Sequence, residues 1–235
     1  MKQWICSDTH FGHKNIIIYE PKRFEKVLNI LNKSYKLVDE LRKDSIEEYI
    51  ELYKSNELFR ELVLSIHDKM LIDIWNSTVK SEDMVYFLGD FTLTRNKEVI
   101  GNLCKALNGR KILIMGNHDT RKPKEYVELG FEQATKRPLI LPRNKKNVIL
   151  SHEPPIDDDL DNTLGRHGED DEADEDYPDD LNNCIRWNPY DVFLFGHVHS
   201  DIAPVEVHDN VKCICLDRND LNLFDLDSIV KELCR

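Results

Sequence analysis

The chain reads as an α/β protein, on two observations. Five short apolar runs have the look of buried strands, and each stops abruptly at His, Asp or Asn; a long stretch between the first two carries apolar residues at helical spacing. Residues just past a strand end are where α/β folds place their chemistry. Trp4-Ile5-Cys6 leads to Asp8 and His10, Val85-Tyr86-Phe87-Leu88 to Gly89-Asp90, and Ile112-Leu113-Ile114-Met115 to Gly116-Asn117-His118-Asp119. Val148-Ile149-Leu150 leads to Ser151-His152-Glu153-Pro154, and Val192-Phe193-Leu194-Phe195 to Gly196-His197-Val198-His199.

Between these runs, Phe24 to Thr78 reads as helical, with Val27, Ile30, Leu31, Val38 and Leu41 at helical spacing, then Ile46, Tyr49, Ile50 and Tyr53, then Leu58, Leu62, Ile66, Met70 and Ile74. Asp44-Ser45-Ile46-Glu47 looks like a capping box that starts a new helix. Val99–Leu107 is a short helix stopped by Asn108-Gly109, and Lys124–Leu129 another closed by Gly130. Pro138–Leu141 and Val148–Leu150 pair as strands around the polar turn Arg143–Lys146, and Ile202–Val207 with Val211–Leu216 form a hairpin around His208-Asp209-Asn210. Asp225 caps a last helix, Leu226–Leu233.

Composition bounds the class. Of 235 residues 40% are hydrophobic, enough to fill a core, and the site-like motifs span most of the chain, which favours one domain, 1–235, with insertions. No run of about 18 apolar residues predicts a membrane span. The first residues run directly into Gln3-Trp4-Ile5-Cys6, a strand rather than a signal peptide. The six cysteines make no Cys-x-x-Cys pair, and Cys213 and Cys215, two apart on a strand, sit side by side; reduced core thiols in a cytoplasmic protein are the expectation. The net charge of -12 has one source: residues 157–180 hold 13 acids against one base, Arg166, while the remainder is balanced. The acidic stretch 157–183 reads as a solvated loop or as a lid over the site, with Gly165-Arg166-His167-Gly168 as its tip. Nothing in this balance offers the basic face that long nucleic acid requires.

Taken in order, the five motifs resemble the calcineurin-like metallophosphoesterases, from Ser7 to about His199. The opening Ser7-Asp8-Thr9-His10-Phe11-Gly12-His13 resembles a small, mostly bacterial and viral branch of predicted phosphoesterases. The resemblance implies an αββα sandwich, two facing mixed sheets flanked by helices, with the ligands on loops at the sheets' C-terminal edge. It also marks about 25–67 as an inserted helical segment, a packing elaboration or a lid or oligomer contact.

Phosphoester hydrolysis needs a strong nucleophile at neutral pH and positive charge on the phosphoryl oxygens, and two divalent metals about 3.5–4 Å apart provide both. The resemblance assigns Asp8, His10, Asp90 and His199 to a first metal and Asp90, Asn117, His152 and His197 to a second, with attack by a hydroxide bridging the two. Asp90 suits the bridging place, alone after its strand and following a glycine that lets metals approach the backbone. A His/carboxylate/Asn set suits Mn above all, with Fe, Zn or Ni also compatible. His118 is implied as the catalytic histidine, on a phosphoryl or leaving oxygen, with Asp119 orienting it. His13, Arg95 and Arg121 are candidate substrate contacts; His67, His167 and His208 lie outside the motifs.

The expected function is therefore a dinuclear-metal phosphoesterase on a small phosphomonoester or phosphodiester, of nucleotide type. Gly89-Asp90-Phe91-Thr92-Leu93-Thr94-Arg95 lacks the second Asp and the Arg-Gly of the protein Ser/Thr phosphatases' Gly-Asp-x-Val-Asp-Arg-Gly, which disfavours phosphoproteins. The alternatives are a metal-dependent nuclease, or a non-catalytic scaffold of the same fold, against which the complete ligand set argues.

Overall fold

In a computed structural model of the chain, residues 1–34, 43–143, 145–156, 185–199 and 208–234 are described. Two mixed β-sheets form its centre. The first has the order β4-β3-β2-β1-β9, from β1 (Gln3–Cys6), β2 (Met84–Phe87), β3 (Arg110–Ile114), β4 (Gln133–Thr135) and β9 (Phe224–Asp225). The second has the order β5-β6-β7-β8, from β5 (Leu139–Arg143), β6 (Lys146–Ser151), β7 (Val192–Phe195) and β8 (Val211–Cys213). Strands β1 to β4 are mutually parallel, as are β6 to β8, while β9 and β5 run antiparallel at one edge of each sheet. Every run read as a strand followed by site residues is therefore a strand, and the parallel arrangement brings their C-terminal ends to one edge of each sheet.

Both faces of the central strands are buried, which is why they read as continuous apolar runs rather than alternating ones. Ile5, Tyr86, Leu88 and Ile114 point toward Val148, Leu150, Val192 and Leu194 of the facing sheet. The alternate residues Cys6, Val85, Phe87 and Leu113 face the helices, and Ile149, Phe193 and Phe195 meet Ile185 and Trp187 on the outer face of the second sheet. The helices are α1 (Ile16–Tyr19), α2 (Pro21–Ser34), α3 (Ile46–Ser55), α4 (Glu57–Thr78), α5 (Lys97–Ala106), α6 (Pro123–Glu128) and α7 (Leu226–Leu233). Helices α2 to α5 share the cluster on the outer face of the first sheet, and α7 adds Leu226, Ile229 and Val230 to the core between the sheets.

The stretch read as helical is three helices where it is described, interrupted at 43–45 and at Asn56, and the segment boundaries at 25 and 67 fall inside α2 and α4. The cap is one residue later than expected: Ser45 Oγ accepts from Glu48 N at 3.2 Å, while Glu48 Oε2 accepts from Asp44 N at 3.4 Å, one residue ahead of the cap, so the reciprocal half of a box is not made. Asp225 caps α7 as expected, accepting from Ser228 N at 3.0 Å. The expected strand Val211–Leu216 stops at Cys213, and Leu216–Asn219 is a 3₁₀ turn. Ile202–Val207 and residues 157–183 lie outside the described residues.

Trp75 joins α4 to the first sheet: it is 2% exposed, its ring lies 6.2 Å from Phe87, and its Nε1 donates to the Asn108 carbonyl at 3.0 Å. Trp75→Ala is expected to cost about 3–5 kcal/mol of unfolding free energy. Leu58→Ala, on a side chain 79% exposed on the same helix, should stay within about 0.5 kcal/mol. Urea denaturation of both variants checks the contrast.

Candidate metal centre

At the common edge the loops stay zipped together beyond the strand ends. Asp8 N donates to Gly89 O, His10 N to Asp90 O and Phe11 N to Phe91 O, each at 3.0 Å. Ser7 bridges Cys215 in parallel fashion, so the two sheets meet here. Four of the site residues take left-handed backbone conformations: Asp8 (φ 62), His10 (φ 49), Asp90 (φ 58) and His197 (φ 66). Side-chain-bearing residues take that region at a cost, and such residues concentrate at functional sites. The turn it makes at each strand end aims successive side chains into one space.

Gly89 is required, for a reason other than metal approach. Its φ is +86, and a Cβ there would lie 2.5 Å from Gly116 N and 2.6 Å from His152 Nδ1. Gly116 is equally constrained, since its Cβ would meet Asp90 Oδ1 at 2.3 Å. These glycines let neighbouring loops pack backbone to side chain.

Three overlapping groups bring possible ligand atoms within 4.8 Å of one another: Asp8, His10 and His199; Asp90, His152 and His197; and His10, Asp90 and His118. In the first, His10 Nε2 lies 2.9 Å from His199 Nε2, and Asp8 Oδ1 lies 3.3 Å from His199 Nε2. In the second, His152 Nε2 lies 3.2 Å from His197 Nδ1 and 3.0 Å from Asn117 Oδ1. Asp90 Oδ2 stands between them, 3.6 Å from His10 Nε2 and 3.6 Å from His152 Nε2. Its other oxygen is already used, accepting from His118 N at 2.9 Å.

The residues fit divalent cations. Asp8 is fully buried, its Oδ2 accepts from His197 N and from the Cys215 thiol at 3.1 Å each, and its Oδ1 is buried with no hydrogen-bond partner. A buried carboxylate oxygen left in that state is costly unless a cation meets it. Two imidazoles are set for ligation: His152 Nδ1 lies 2.8 Å from the Leu88 carbonyl and His199 Nδ1 lies 2.9 Å from Asp217 Oδ2. Both partners accept from the ring N–H and leave Nε2 free to coordinate.

His118 stands at the mouth of the site with its side chain 41% exposed, its Nε2 4.0 Å from Asp90 Oδ2 and its ring edge-on to His10. His13 is half-buried beside it, ring centroids 6.3 Å apart. Burial, then the neighbouring histidines, pull the His13 imidazole down to about 4, so it is neutral at neutral pH. Arg121 is occupied elsewhere, bonded to Glu125 Oε1 at 3.2 Å and to the Arg95 carbonyl, and Arg95 is exposed.

Asp119 does not orient His118. Its Oδ2 accepts from Asp90 N at 2.8 Å and Gly116 N at 2.9 Å and its Oδ1 from Phe91 N at 3.2 Å, so it pins the loop that carries Asp90. Burial, with the Asp90 charge beside it, pushes its carboxyl up to about 7. Among the histidines outside the motifs, His67 is buried beside Arg23, and His208 stacks on Trp187 at 3.7 Å; His167 lies outside the described residues. Cys213 and Cys215 are free thiols 3.5 Å apart, side by side as read. Sequence reasoning missed Asp217 and Arg23. Asp217 follows the apolar run Cys213–Leu216 just as the other acids follow theirs, and that pattern could have found it.

The fold and these clusters define an αββα protein built to hold divalent metal at the sheets' edge. The chain belongs to the calcineurin-like phosphoesterases, whose family profile matches residues 1–201. That family binds divalent metals and hydrolyses phosphoesters with them, although some members are non-catalytic. The chain is 33% identical over 119 residues to an uncharacterised protein of Methanocaldococcus jannaschii, covering 50% of this chain and 47% of that one. It is 33% identical over 106 residues to the gene 66 protein of Mycobacterium phage D29, covering 39% and 53% respectively. The matches thus span about half the length of these relatives. The crystal structure of a protein of unknown function from Aquifex aeolicus superposes with a TM-score of 0.55 at 24% identity, covering 98% of each chain, a likeness of fold. No described helix is long and apolar enough to cross a membrane.

In the metal-free chain the buried carboxylates draw protons onto two histidines. Burial opposes the charge on His199, but Asp8 and Asp217 push it up to about 10; likewise Asp90, Asp8 and Glu153 overcome burial to push His152 up to about 9. Both are cationic at pH 7, whereas a ligating imidazole must be neutral. Metal uptake at pH 7 should therefore release about two protons per chain, and affinity should rise as pH increases toward 9. Calorimetry in buffers of different ionisation enthalpy measures the release; a value near zero would contradict this charge distribution.

Proposed function

We propose that this chain is a dinuclear metal-dependent phosphoesterase acting on a small phosphomonoester or phosphodiester of nucleotide type. The observation that carries the reading is Asp90 Oδ2, equidistant at 3.6 Å from an imidazole nitrogen of each histidine cluster. Asp8, His10 and His199 would hold the first ion, Asn117, His152 and His197 the second, and Asp90 both. Manganese suits this mixed nitrogen and oxygen set, and iron, zinc or nickel are compatible with it. When bound, two such ions supply positive charge for the phosphoryl oxygens and a strong nucleophile at neutral pH.

The chain's own residues do the rest. His118 is exposed enough to meet a substrate and is anchored through its backbone N–H to Asp90. It would donate a hydrogen bond to a phosphoryl oxygen or a proton to the departing oxygen. His13, neutral and adjacent, would contact the same phosphoryl group. Arg95 is free to reach an incoming phosphate from the surface; Arg121 would have to release Glu125 first. Asp119, under the floor of the site, would keep the Asp90 oxygens aimed in two directions.

The test separates catalysis from metal binding. Loaded with manganese, the wild type should bind two ions and hydrolyse bis-p-nitrophenyl phosphate. His118→Ala should keep both ions and lose about a hundredfold in kcat, within the general-acid range of about 10²–10⁴. The loss should be larger on an alkyl diester, whose leaving group needs protonation. His152→Ala should lose an ion together with activity, and Asp90→Asn should weaken both ions. Should His118→Ala lose metal as His152→Ala does, or keep near-full activity on the alkyl ester, its catalytic role fails. A panel of nucleotides, cyclic nucleotides and single-stranded oligonucleotides then fixes the substrate; preference for the oligonucleotides would favour a nuclease.

A further inference from the structure

A second constellation lies beneath the first ion's ligands. Arg23, on α2, is fully buried, and its guanidinium is saturated. Its Nε and one terminal nitrogen grip Asp217 Oδ1 and Oδ2 at 2.7 Å each, a bidentate pair. That terminal nitrogen also donates to the Asp8 carbonyl at 2.7 Å, and the other to the Thr9 carbonyl at 3.0 Å. Asp217, 5% exposed, takes the His199 ring nitrogen at 2.9 Å with the oxygen that it shares with Arg23. One planar cation thereby fixes two candidate ligands at once, the backbone at Asp8 and, through Asp217, the rotation and tautomer of His199.

The grip extends to α4. His67 Nε2 lies 3.4 Å from Arg23, its Nδ1 lies 3.0 Å from Asp68 Oδ1, and Asp68 Oδ2 accepts from Gly12 N at 3.0 Å, in the loop between His10 and His13. The second cluster has other supports: His152 rests on a main-chain carbonyl, and Asp119 binds backbone amides around Asp90. We infer that Arg23 and Asp217 are positioning residues for the first metal position alone, making it the preorganised half of an asymmetric pair. The inference rests on the dinuclear reading above.

Lysine cannot reproduce this grip, because an ammonium is a point charge without the planar fork. Breaking a buried pair by removing one partner destabilises, but replacing both with apolar residues is often neutral. The test is therefore Arg23→Met/Asp217→Leu in the full chain, with Arg23→Lys as the arm that decides should the double variant not fold. Asp225→Ala, which removes the α7 cap, is the control for general loss of stability. Manganese is titrated into metal-free protein, with bound ions counted by electron paramagnetic resonance and the metal-free melting temperature recorded.

Wild type and Asp225→Ala should bind two ions. The double variant and Arg23→Lys should keep one ion at wild-type affinity and weaken the other by about 10–100-fold, the usual cost of losing an outer partner of a metal ligand. The dinuclear manganese signal should give way to a mononuclear one. A purely structural role would lower the melting temperature without choosing between the ions. Two ions bound at wild-type affinities in both variants, or both ions weakened equally, overturns the inference and leaves the dinuclear reading standing. A wild type that binds one ion overturns that reading, and this inference with it.

Discussion

Two carboxylates are buried side by side at the end of β1 and β2, and most of the surrounding architecture answers to them. Asp8 is fully buried and Asp90 is 2% exposed, in a region where an uncompensated charge costs several kcal/mol. Part of the compensation is fixed. His197 N and the Cys215 thiol donate to Asp8, and His118 N donates to Asp90. The rest is exchangeable: protons on His152 and His199, or cations. A site that holds its negative charge in place and lets protons and metal compete for it is suited to binding metal rather than to stabilising the fold.

The same edge explains why the fold needs two sheets. The first sheet supplies Asp8, His10, Asp90, Asn117 and His118, and the second supplies His152, His197 and His199. Two of the three groups draw on both. His199 crosses to Asp8 and His10, while His152 and His197 cross to Asp90. Metal held by these groups would thus be linked to the packing of one sheet on the other, since anything that binds only the packed state stabilises it by mass action. Asp and His are among the side-chain-bearing residues that enter the left-handed region most readily, and the backbone amides of Asp8, His10, Asp90 and His197 each donate to a neighbouring loop.

Much of this was legible in the sequence, because strands buried on both faces leave uninterrupted apolar runs and the chemistry begins where a run stops. Short edge elements were not legible: β4 is Gln133–Thr135 and β9 is Phe224–Asp225, neither with an apolar run of its own. The contacts of individual side chains were not legible either. Asp119 adjoins His118 in sequence, yet its carboxylate points under the loop to Asp90, Phe91 and Gly116. Arg23 gave no local signal, because its partners Asp8, Thr9, His67 and Asp217 are gathered only by the fold. Its burial shows solely in the structure.

The helices on the first sheet can be understood in the same terms. A loop that runs from His10 to Lys14 past a strand end has few neighbours of its own, and its carbonyls and amides need partners. Two come from α3 and α4: the Tyr53 hydroxyl donates to the Lys14 carbonyl at 2.8 Å, and Asp68 accepts from Gly12 N. Tyr53 is 1% exposed and packs edge-on to Phe24 of α2, so the hydroxyl is delivered from a rigid aromatic cluster rather than from a flexible arm. The helices therefore brace the backbone of the loop that carries His10 and His13. A lid would approach the open face where His118 is exposed. The Tyr53 contact is partly buried and the Asp68 contact lies at the surface, and both hold the backbone of this loop in place; preorganisation of that kind is what lets a site bind without first paying to order itself.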